Sequence, residues 1–317
     1  MIRPALAVVG PTASGKSALA LLLAERFGGE IVSCDSMQIY RGMDIGTAKP
    51  SAAERERIPH HMIDIRDPDE PYSAADYGEE AAREAGEILA KGRLPIFCGG
   101  TGLYLSAALT GRHAAAPPSD PALRAELLAR GKTDAGRREL YEELLALDPA
   151  SAAATHENNL RRVVRALEIY RLTGKPKSEF DRESRERVPF FDCLVLGLDF
   201  PDRKDLYARI DRRVDEMMEA GLYREAKTLW ERGYLAPGAT AGQAIGYRQF
   251  LPCFTGDLTP GEAAEEIKTA TRRYAKRQLT WFRAQTGTVW LDGGDPGLFS
   301  RAEETVSAWL QKNDYNF

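Results

Sequence analysis

The segment Gly10-Pro11-Thr12-Ala13-Ser14-Gly15-Lys16-Ser17 constrains this chain more than any other. It fulfils the whole G-x-x-x-x-G-K-[ST] pattern, and its flanks give that pattern mechanical sense. Ala5-Leu6-Ala7-Val8-Val9 before it predicts a short buried strand, and residues 18–27 after it predict a helix with apolar positions at Leu19, Leu22, Leu23 and Phe27. Strand, glycine loop and helix make a phosphate cradle. The glycines let backbone N–H groups turn inward, and the helix N-terminus adds partial positive charge. In such a cradle Lys16 reaches phosphate oxygens and Ser17 is the expected Mg²⁺ ligand. A purely structural glycine turn is the competing reading; the strand before and the helix after favour the phosphate site.

The following residues extend this start into an α/β architecture. Glu30-Ile31-Val32-Ser33 predicts a second strand ending at Cys34-Asp35-Ser36, and His61-Met62-Ile63-Asp64-Ile65 a third. Ser73 is placed to cap a helix over 74–91, and Leu94-Pro95-Ile96-Phe97-Cys98 predicts a strand that runs into Gly99-Gly100-Thr101-Gly102. Strands alternating with helices imply a parallel sheet covered on both faces, with ligands beyond the C-terminal strand ends. The P-loop, Asp35 and Thr101 all fall at such ends, so they are expected to face one crevice. Ala114-Ala115-Ala116-Pro117-Pro118 breaks the rhythm, and residues 120–187 read as helices only, with stops at Asp148-Pro149 and Thr173-Gly174-Lys175-Pro176. Val195-Leu196-Gly197-Leu198-Asp199 and Val289-Trp290-Leu291 return to strand character. The expected organisation is a P-loop NTPase-like parallel sheet core, split into 1–115 and 195–317, with a helical insertion domain over 116–194.

Composition narrows the setting. No apolar run approaches the ~20 residues that span a membrane, and the first strand begins too early to leave room for a signal peptide. Cys34, Cys98, Cys193 and Cys253 show no C-x-x-C spacing, so neither zinc nor a disulfide framework is expected and a reducing cytoplasm fits. His60, His61, His113 and His156 form no H-E-x-x-H pattern. A net charge of −4 argues against coating nucleic acid over the whole surface but leaves room for a local basic patch.

Three constellations offer chemistry. Asp35 ends a strand among small polar residues, which suits either a turn cap or a crevice carboxylate acting on Mg²⁺ or as a general base. Gly99-Gly100-Thr101-Gly102 is either a tight turn or a means of bringing the Thr101 hydroxyl to a phosphate. Residues 271–283 lie in a helix expected to start near Glu262. Arg272, Lys276 and Arg283 share one face there, with Arg273 and Arg277 beside them and Tyr274, Trp281 and Phe282 interleaved. That is either a solvated basic face over an aromatic core or a site for nucleic acid or polyphosphate. Smaller clusters are Asn158-Asn159-Leu160-Arg161-Arg162 with Arg165, and Gln243-Ala244-Ile245-Gly246-Tyr247-Arg248-Gln249, suited to base edges and stacking. Either is equally compatible with an ordinary surface or interhelix contact. Arg209, Arg212 and Arg213 are candidates for a pyrophosphate clamp.

Together with the P-loop, the segments Asp35-Ser36-Met37-Gln38-Ile39-Tyr40, Asp44-Ile45-Gly46-Thr47-Ala48-Lys49-Pro50, Pro59-His60-His61-Met62-Ile63-Asp64, Gly99-Gly100-Thr101-Gly102-Leu103-Tyr104, Arg165-Ala166-Leu167-Glu168, Ala244-Ile245-Gly246-Tyr247-Arg248-Gln249 and Tyr274-Ala275-Lys276-Arg277-Gln278-Leu279-Thr280-Trp281-Phe282-Arg283 occur in order along nearly the whole chain. In these the sequence resembles the tRNA dimethylallyltransferase family. The P-loop alone fits many proteins; the segments at 35–40 and 274–283 are far more specific. The motif positions show no clear departure from the family. Ser17 in place of threonine keeps the hydroxyl, and a sequence that ends without a C-terminal zinc finger resembles the bacterial form.

The resemblance implies transfer of a dimethylallyl group from dimethylallyl diphosphate to N6 of the adenosine on the 3′ side of the tRNA anticodon. The P-loop, usually read as ATP-binding, would hold the donor's diphosphate, and no phosphoryl group would move. Asp35 would accept the N6 proton. Lys16, Mg²⁺ near Ser17, Thr101 and Arg209 would stabilise the leaving diphosphate. Ser36, Met37 and Gln38 would line the pocket for a flipped base. Asn158, Asn159, Leu160, Arg161 and Arg162, then 243–248, then Arg272, Arg273, Lys276, Arg277 and Arg283 would hold the anticodon stem-loop. The enzyme is expected to be a cytoplasmic monomer with no membrane contact. An adenylate isopentenyltransferase, a small-molecule P-loop kinase and a non-catalytic RNA-binding nucleotide switch are the alternatives. The first should need neither the helical insertion nor the basic helix.

Overall fold

The first strand, β1 (Arg3–Val9), shows why the sheet is covered on both faces. Its side chains alternate: Leu6 and Val8 enter one apolar cluster, and Ala5, Ala7 and Val9 enter another on the opposite face. The computed structural model describes residues 3–110, 117–185, 189–236 and 239–317. After β1 come α1 (Lys16–Arg26), β2 (Glu30–Ser33), α2 (Ala52–Arg57), β3 (His60–His61), α3 (Ala74–Ala90), β4 (Pro95–Gly99) and α4 (Gly102–Thr110). Five helices follow: α5 (Pro121–Arg130), α6 (Asp134–Leu147), α7 (Pro149–Ala153), α8 (Leu160–Thr173) and α9 (Lys177–Arg185). The chain then returns through β5 (Phe191–Asp199), α10 (Arg203–Glu219), α11 (Leu222–Glu231), α12 (Leu251–Thr255), α13 (Pro260–Arg283), β6 (Thr288–Asp292) and α14 (Leu298–Lys312).

The six strands form one sheet in the order β3-β2-β4-β1-β5-β6, every neighbouring pair parallel. This is the expected P-loop NTPase-like core. On one face α1 and α14 supply Leu19, Leu23, Ala302, Val306 and Leu310. On the other, α3, α4 and the end of α13 supply Tyr77, Ala81, Ile88, Leu105 and Phe282. Leu6 and Leu23 are fully buried, and truncating such a leucine to alanine costs ~2–5 kcal/mol. A third apolar cluster joins α10, α11 and α13 to Ile39, Tyr40, Met43 and Tyr247.

Local chemistry sets the boundaries. Ser73 caps α3 in a reciprocal box with Asp76, and Thr259 caps α13 with Glu262, so that helix begins at Pro260. The expected strand over 61–65 is reduced to His60–His61, because Met62 (φ 63°) and Asp64 (φ 57°) turn into the left-handed region. The return strand begins at Phe191 instead of Val195, since Arg3 of β1 already pairs with Phe191. His113 and Ala114, Ala115 and Ala116, with the boundary expected between residues 115 and 116, lie outside the described residues, as does Arg187.

The chain divides into two compact units, one of Met1–Leu109 with Phe190–Phe317 and one of Thr110–Pro189. In the smaller unit α5, α6 and α8 pack through Leu127, Leu140, Leu144, Val163 and Leu167. Its polar centre is Glu168, which has no exposed surface and accepts from Arg124, Arg165 and the Asp120 backbone N–H. Burial alone would push this carboxyl up; those donors hold it below its ordinary value. Arg165 also donates to the Pro117 and Pro118 carbonyls, pinning the segment that enters α5.

Candidate active site

The P-loop follows β1 and closes on itself through Ser14 N–H to the Pro11 carbonyl, 3.3 Å. Ala13 (φ 63°) occupies the left-handed region. Gly15 precedes α1 and has no side chain with which to cap it. The first amides of α1 therefore stay available to an anion. Lys16 Nζ donates to the Pro11 carbonyl at 3.3 Å. Burial lowers its proton affinity and the Arg213 charge lowers it further, while Cys98 and Asp35 oppose.

A buried amide fixes this loop from 266 residues away. Gln278 Oε1 accepts from Thr12 N–H at 3.0 Å, and its Nε2 donates to the Gly100 carbonyl at 3.0 Å. The glycines after β4 permit this approach: a Cβ on Gly100 would lie 1.9 Å from Gln278 Nε2, and one on Gly102 would lie 2.1 Å from the Trp281 ring. Between them, Thr101 Oγ1 accepts from Ser36 N–H at 3.2 Å, and Thr101 N–H donates to the Cys34 carbonyl at 3.1 Å. Thr101 thus braces the turn that carries Asp35. In that turn Asp35 Oδ1 accepts from Met37 N–H at 2.9 Å while the side chain lines a cavity. Asp35 thus caps the turn and also lines the cavity.

The cavity holds about 340 Å³ and lies wholly within the larger unit. Thr12, Lys16 and Ser17 line it from the P-loop, and Asp35, Ser36, Met37 and Gln38 from the end of β2. Gly46–Pro50, Gln243–Gly246 and Arg248 close other sides, and α13 adds Tyr274, Arg277 and Gln278. Its charges are Lys16, Lys49, Arg213, Arg248 and Arg277 against Asp35 and Glu54. Leu21, Ile31, Ile210, Val214, Met217 and Ile267 add an apolar wall. Burial, then the Asp35 charge, pushes the Tyr274 hydroxyl up to about 12 and burial pushes the Cys98 thiol up to about 11. Both stay neutral near pH 7.

Some expected site residues stand elsewhere. Arg209 binds the P-loop without lining the cavity: Nε donates to the Ala13 carbonyl at 3.0 Å, and the guanidinium lies 5.4 Å from the Phe200 ring centre. Tyr247 is completely buried and its hydroxyl donates to Glu225 at 2.7 Å, so it cannot stack on a base. Arg272 is ion-paired with Asp211, and the exposed Arg283 with Asp199; Arg273, Lys276 and Arg277 are exposed and form no ion pair among the described residues. Asn158, Asn159, Arg161 and Arg162 are exposed at the start of α8 in the smaller unit, whereas Leu160 packs onto that unit's core. The sequence reading missed Tyr274 and Gln278 as cavity residues, although their i, i+4 spacing on α13 was available to find them.

Comparison with known proteins follows the same residues. The family model for IPP transferases matches residues 38–285. A tRNA dimethylallyltransferase of Geobacillus kaustophilus is 47% identical over 303 residues, covering 96% of this chain and 95% of that protein. This chain belongs to the IPP transferase family. A further relative, the tRNA dimethylallyltransferase of Geobacter sulfurreducens, is 48% identical over 90% of each chain. Among solved structures, the full-length tRNA isopentenylpyrophosphate transferase of Bacillus halodurans superposes with a TM-score of 0.73 at 42% identity, covering 98% of both chains. A eukaryotic dimethylallyltransferase acting on tRNA gives 0.81 at 32% identity, covering 98% of this chain and 80% of its own. The chain is therefore a prenyltransferase. Among the described residues no helix is long and apolar enough to cross a membrane.

Proposed function

We propose that this cavity transfers a dimethylallyl group from dimethylallyl diphosphate to N6 of the adenosine on the 3′ side of the tRNA anticodon, releasing diphosphate. The observation that carries the reading is the meeting of Lys16, Ser17 and Asp35 with an apolar wall in one cavity. Leu21, Ile31, Val214 and Met217 in the same cavity suit the hydrocarbon part of such a donor. A branched five-carbon chain gains ~25 cal/mol for each Å² of apolar surface removed from water.

The chemistry follows from the groups present. The adenine N6 lone pair is delocalised into the ring, so the amine is a weak nucleophile. As the N6–C1 bond forms, the C1–O bond breaks and its electron pair leaves on the diphosphate. Asp35 takes the N6 proton. Lys16, Arg213 and the P-loop amides meet the charge growing on the leaving group. Arg209 and Gln278 hold the P-loop in place, and Thr101 holds the turn that carries Asp35. Mg²⁺ keeps several waters and needs only one or two protein ligands beside substrate phosphates. The Ser17 hydroxyl at the mouth of the phosphate cradle suits it, and among the described residues no cluster of three carboxylate, His or Cys groups competes. When bound, the ion would supply further neutralisation of the diphosphate.

The target base must leave its stack to reach this cavity. The exposed cations Arg273, Lys276 and Arg277, with Arg248 on the cavity wall, supply phosphate contacts, and Asn158, Arg161 and Arg162 supply them on the helical unit. The P-loop takes the prenyl donor's diphosphate, and ATP is not consumed. A monomeric, cytoplasmic enzyme completes the reading, and four free cysteines suit a reducing compartment. The test is single-turnover transfer by Asp35→Ala. The rate should fall by roughly 10²–10⁴ with stem-loop binding retained; a near-normal rate overturns the assignment of Asp35.

A further inference from the structure

In the segment Asp44-Ile45-Gly46-Thr47-Ala48-Lys49-Pro50, residues 46–50 line one side of the cavity, and a carboxylate on α11 sets where the segment lies. Glu225 Oε2 accepts from Asp44 N–H at 3.0 Å and from Ile45 N–H at 2.9 Å. Glu225 Oε1 accepts from Gly46 N–H at 3.1 Å and from the Tyr247 hydroxyl at 2.7 Å. Three consecutive backbone amides turned toward one point form an anion nest. Here the anion is a side chain some 180 residues away in sequence. The Tyr247 ring closes the arrangement from the other side, since a Cβ on Gly46 would lie 2.6 Å from it. One carboxylate therefore joins the segments 44–50 and 243–248, each of which contributes residues to the cavity lining.

The contacts continue toward the acceptor side of the cavity. Immediately after the nest, the Thr47 and Ala48 carbonyls accept from Gln38 Nε2 at 3.1 and 3.2 Å. Gln38 Oε1 accepts from Ser33 Oγ at 2.8 Å. The height of the 44–46 turn thus decides where two carbonyls stand, and they decide how the Gln38 amide is turned in the wall next to Asp35. The hydrogen bonds that fix the P-loop come from Gln278 and Arg209 instead.

We infer that Glu225 is a positioning residue for the acceptor nucleotide, acting through the 44–48 backbone and Gln38, while the donor's diphosphate site stands apart from it. This rests on the reading that the acceptor adenine meets the Asp35–Gln38 wall. Glu225→Gln keeps the shape but leaves one acceptor oxygen and turns an NH₂ group toward amides that need an acceptor. Tyr247→Phe removes a single donor and leaves the ring in place.

The experiment is steady-state transfer with both substrates varied, for the wild type, Glu225→Gln and Tyr247→Phe, together with amide hydrogen exchange at 44–46. In Glu225→Gln the KM for an anticodon stem-loop should rise about tenfold, as for the loss of charge-assisted hydrogen bonds. Exchange at 44–46 should accelerate, and the KM for dimethylallyl diphosphate should stay within about twofold. Tyr247→Phe should shift stem-loop KM in the same direction by less, and it carries the test should the glutamine variant fail to fold. Both KM values moving together, or faster exchange with stem-loop KM unchanged, overturns the proposal. A wild type that labels no stem-loop removes the acceptor reading itself, and this inference falls with it.

Discussion

Gln278 and Thr12 are joined by a hydrogen bond of 3.0 Å between the side-chain Oε1 of one and the backbone N–H of the other. Because the same amide donates to Gly100, a single buried side chain on α13 holds the phosphate loop and the turn after β4 at once. Gln278→Ala should leave both backbone groups unsatisfied and cost ~1–3 kcal/mol. Denaturant unfolding would read that loss, and the KM for dimethylallyl diphosphate should rise in parallel. Unchanged stability and unchanged donor KM would show that the P-loop holds its shape without this bond.

Arg213 is set apart from Arg212 by one step of α10: Arg213 lines the cavity and Arg212 is exposed. Burial lowers the Arg213 proton affinity, with the Asp35 and Glu216 charges opposing. Arg213→Met should weaken binding of inorganic diphosphate about tenfold or more, as expected for a desolvated cation on an anion. Arg212→Met should have little effect. Titration calorimetry of both variants checks this, and equal affinities would remove Arg213 from the diphosphate site.

Lys49 has almost no exposed side chain; its ammonium donates to the Tyr40 carbonyl at 2.8 Å and to Asp64 at 2.6 Å, and Arg55 donates to Asp64 as well. Burial alone would raise the Asp64 carboxyl, but those hydrogen bonds and charges hold it below its ordinary 3.8. A carboxyl lowered by folding contributes stability that is present above its unfolded value and is lost as pH falls through the lower folded value. Stability should therefore decline as pH drops below about 3.8, and Lys49→Met should reduce that decline along with neutral-pH stability. Melting temperatures from pH 2 to pH 7, in steps of about one unit across the carboxylate range, test it. A variant with the wild-type acid limb would contradict it.

In the smaller unit, Glu168→Ala strands Arg124 and Arg165 around a vanished carboxylate that had no exposed surface. The arginines left behind are partly exposed and can turn to water, so the loss is that of the hydrogen bonds to the carboxylate, ~1–3 kcal/mol. Hydrogen exchange should quicken throughout α5 and α8. Exchange at wild-type rates in both helices would show that the unit does not depend on this hub.

Much of this arrangement is written locally. The alternation in β1, the glycine spacing of the P-loop and the cap before α3 each depend on neighbours within a few residues, and each reads directly from sequence. What escapes sequence reading depends on distant partners. His61–Ile65 has the composition of a strand, but Asp64 is drawn out of it by Lys49 and Arg55. Tyr247 has the look of a stacking residue until Glu225, 22 positions earlier, is found against its hydroxyl. Arg272 and Arg283 belong to one basic helix face in sequence, yet Asp211 and Asp199 occupy them from 61 and 84 residues away. For the site the pattern is similar. Lys16, Ser17 and Asp35 announce themselves by motif, whereas Gln278 is a buried polar residue whose partners include two backbone groups far away in the chain.

The most direct test of the account is transfer of label from dimethylallyl diphosphate with Mg²⁺ present, offering an anticodon stem-loop with adenosine at the target site and, separately, free AMP. Label in the stem-loop and none in AMP is the predicted result. Label in AMP alone, or in neither acceptor, would contradict it.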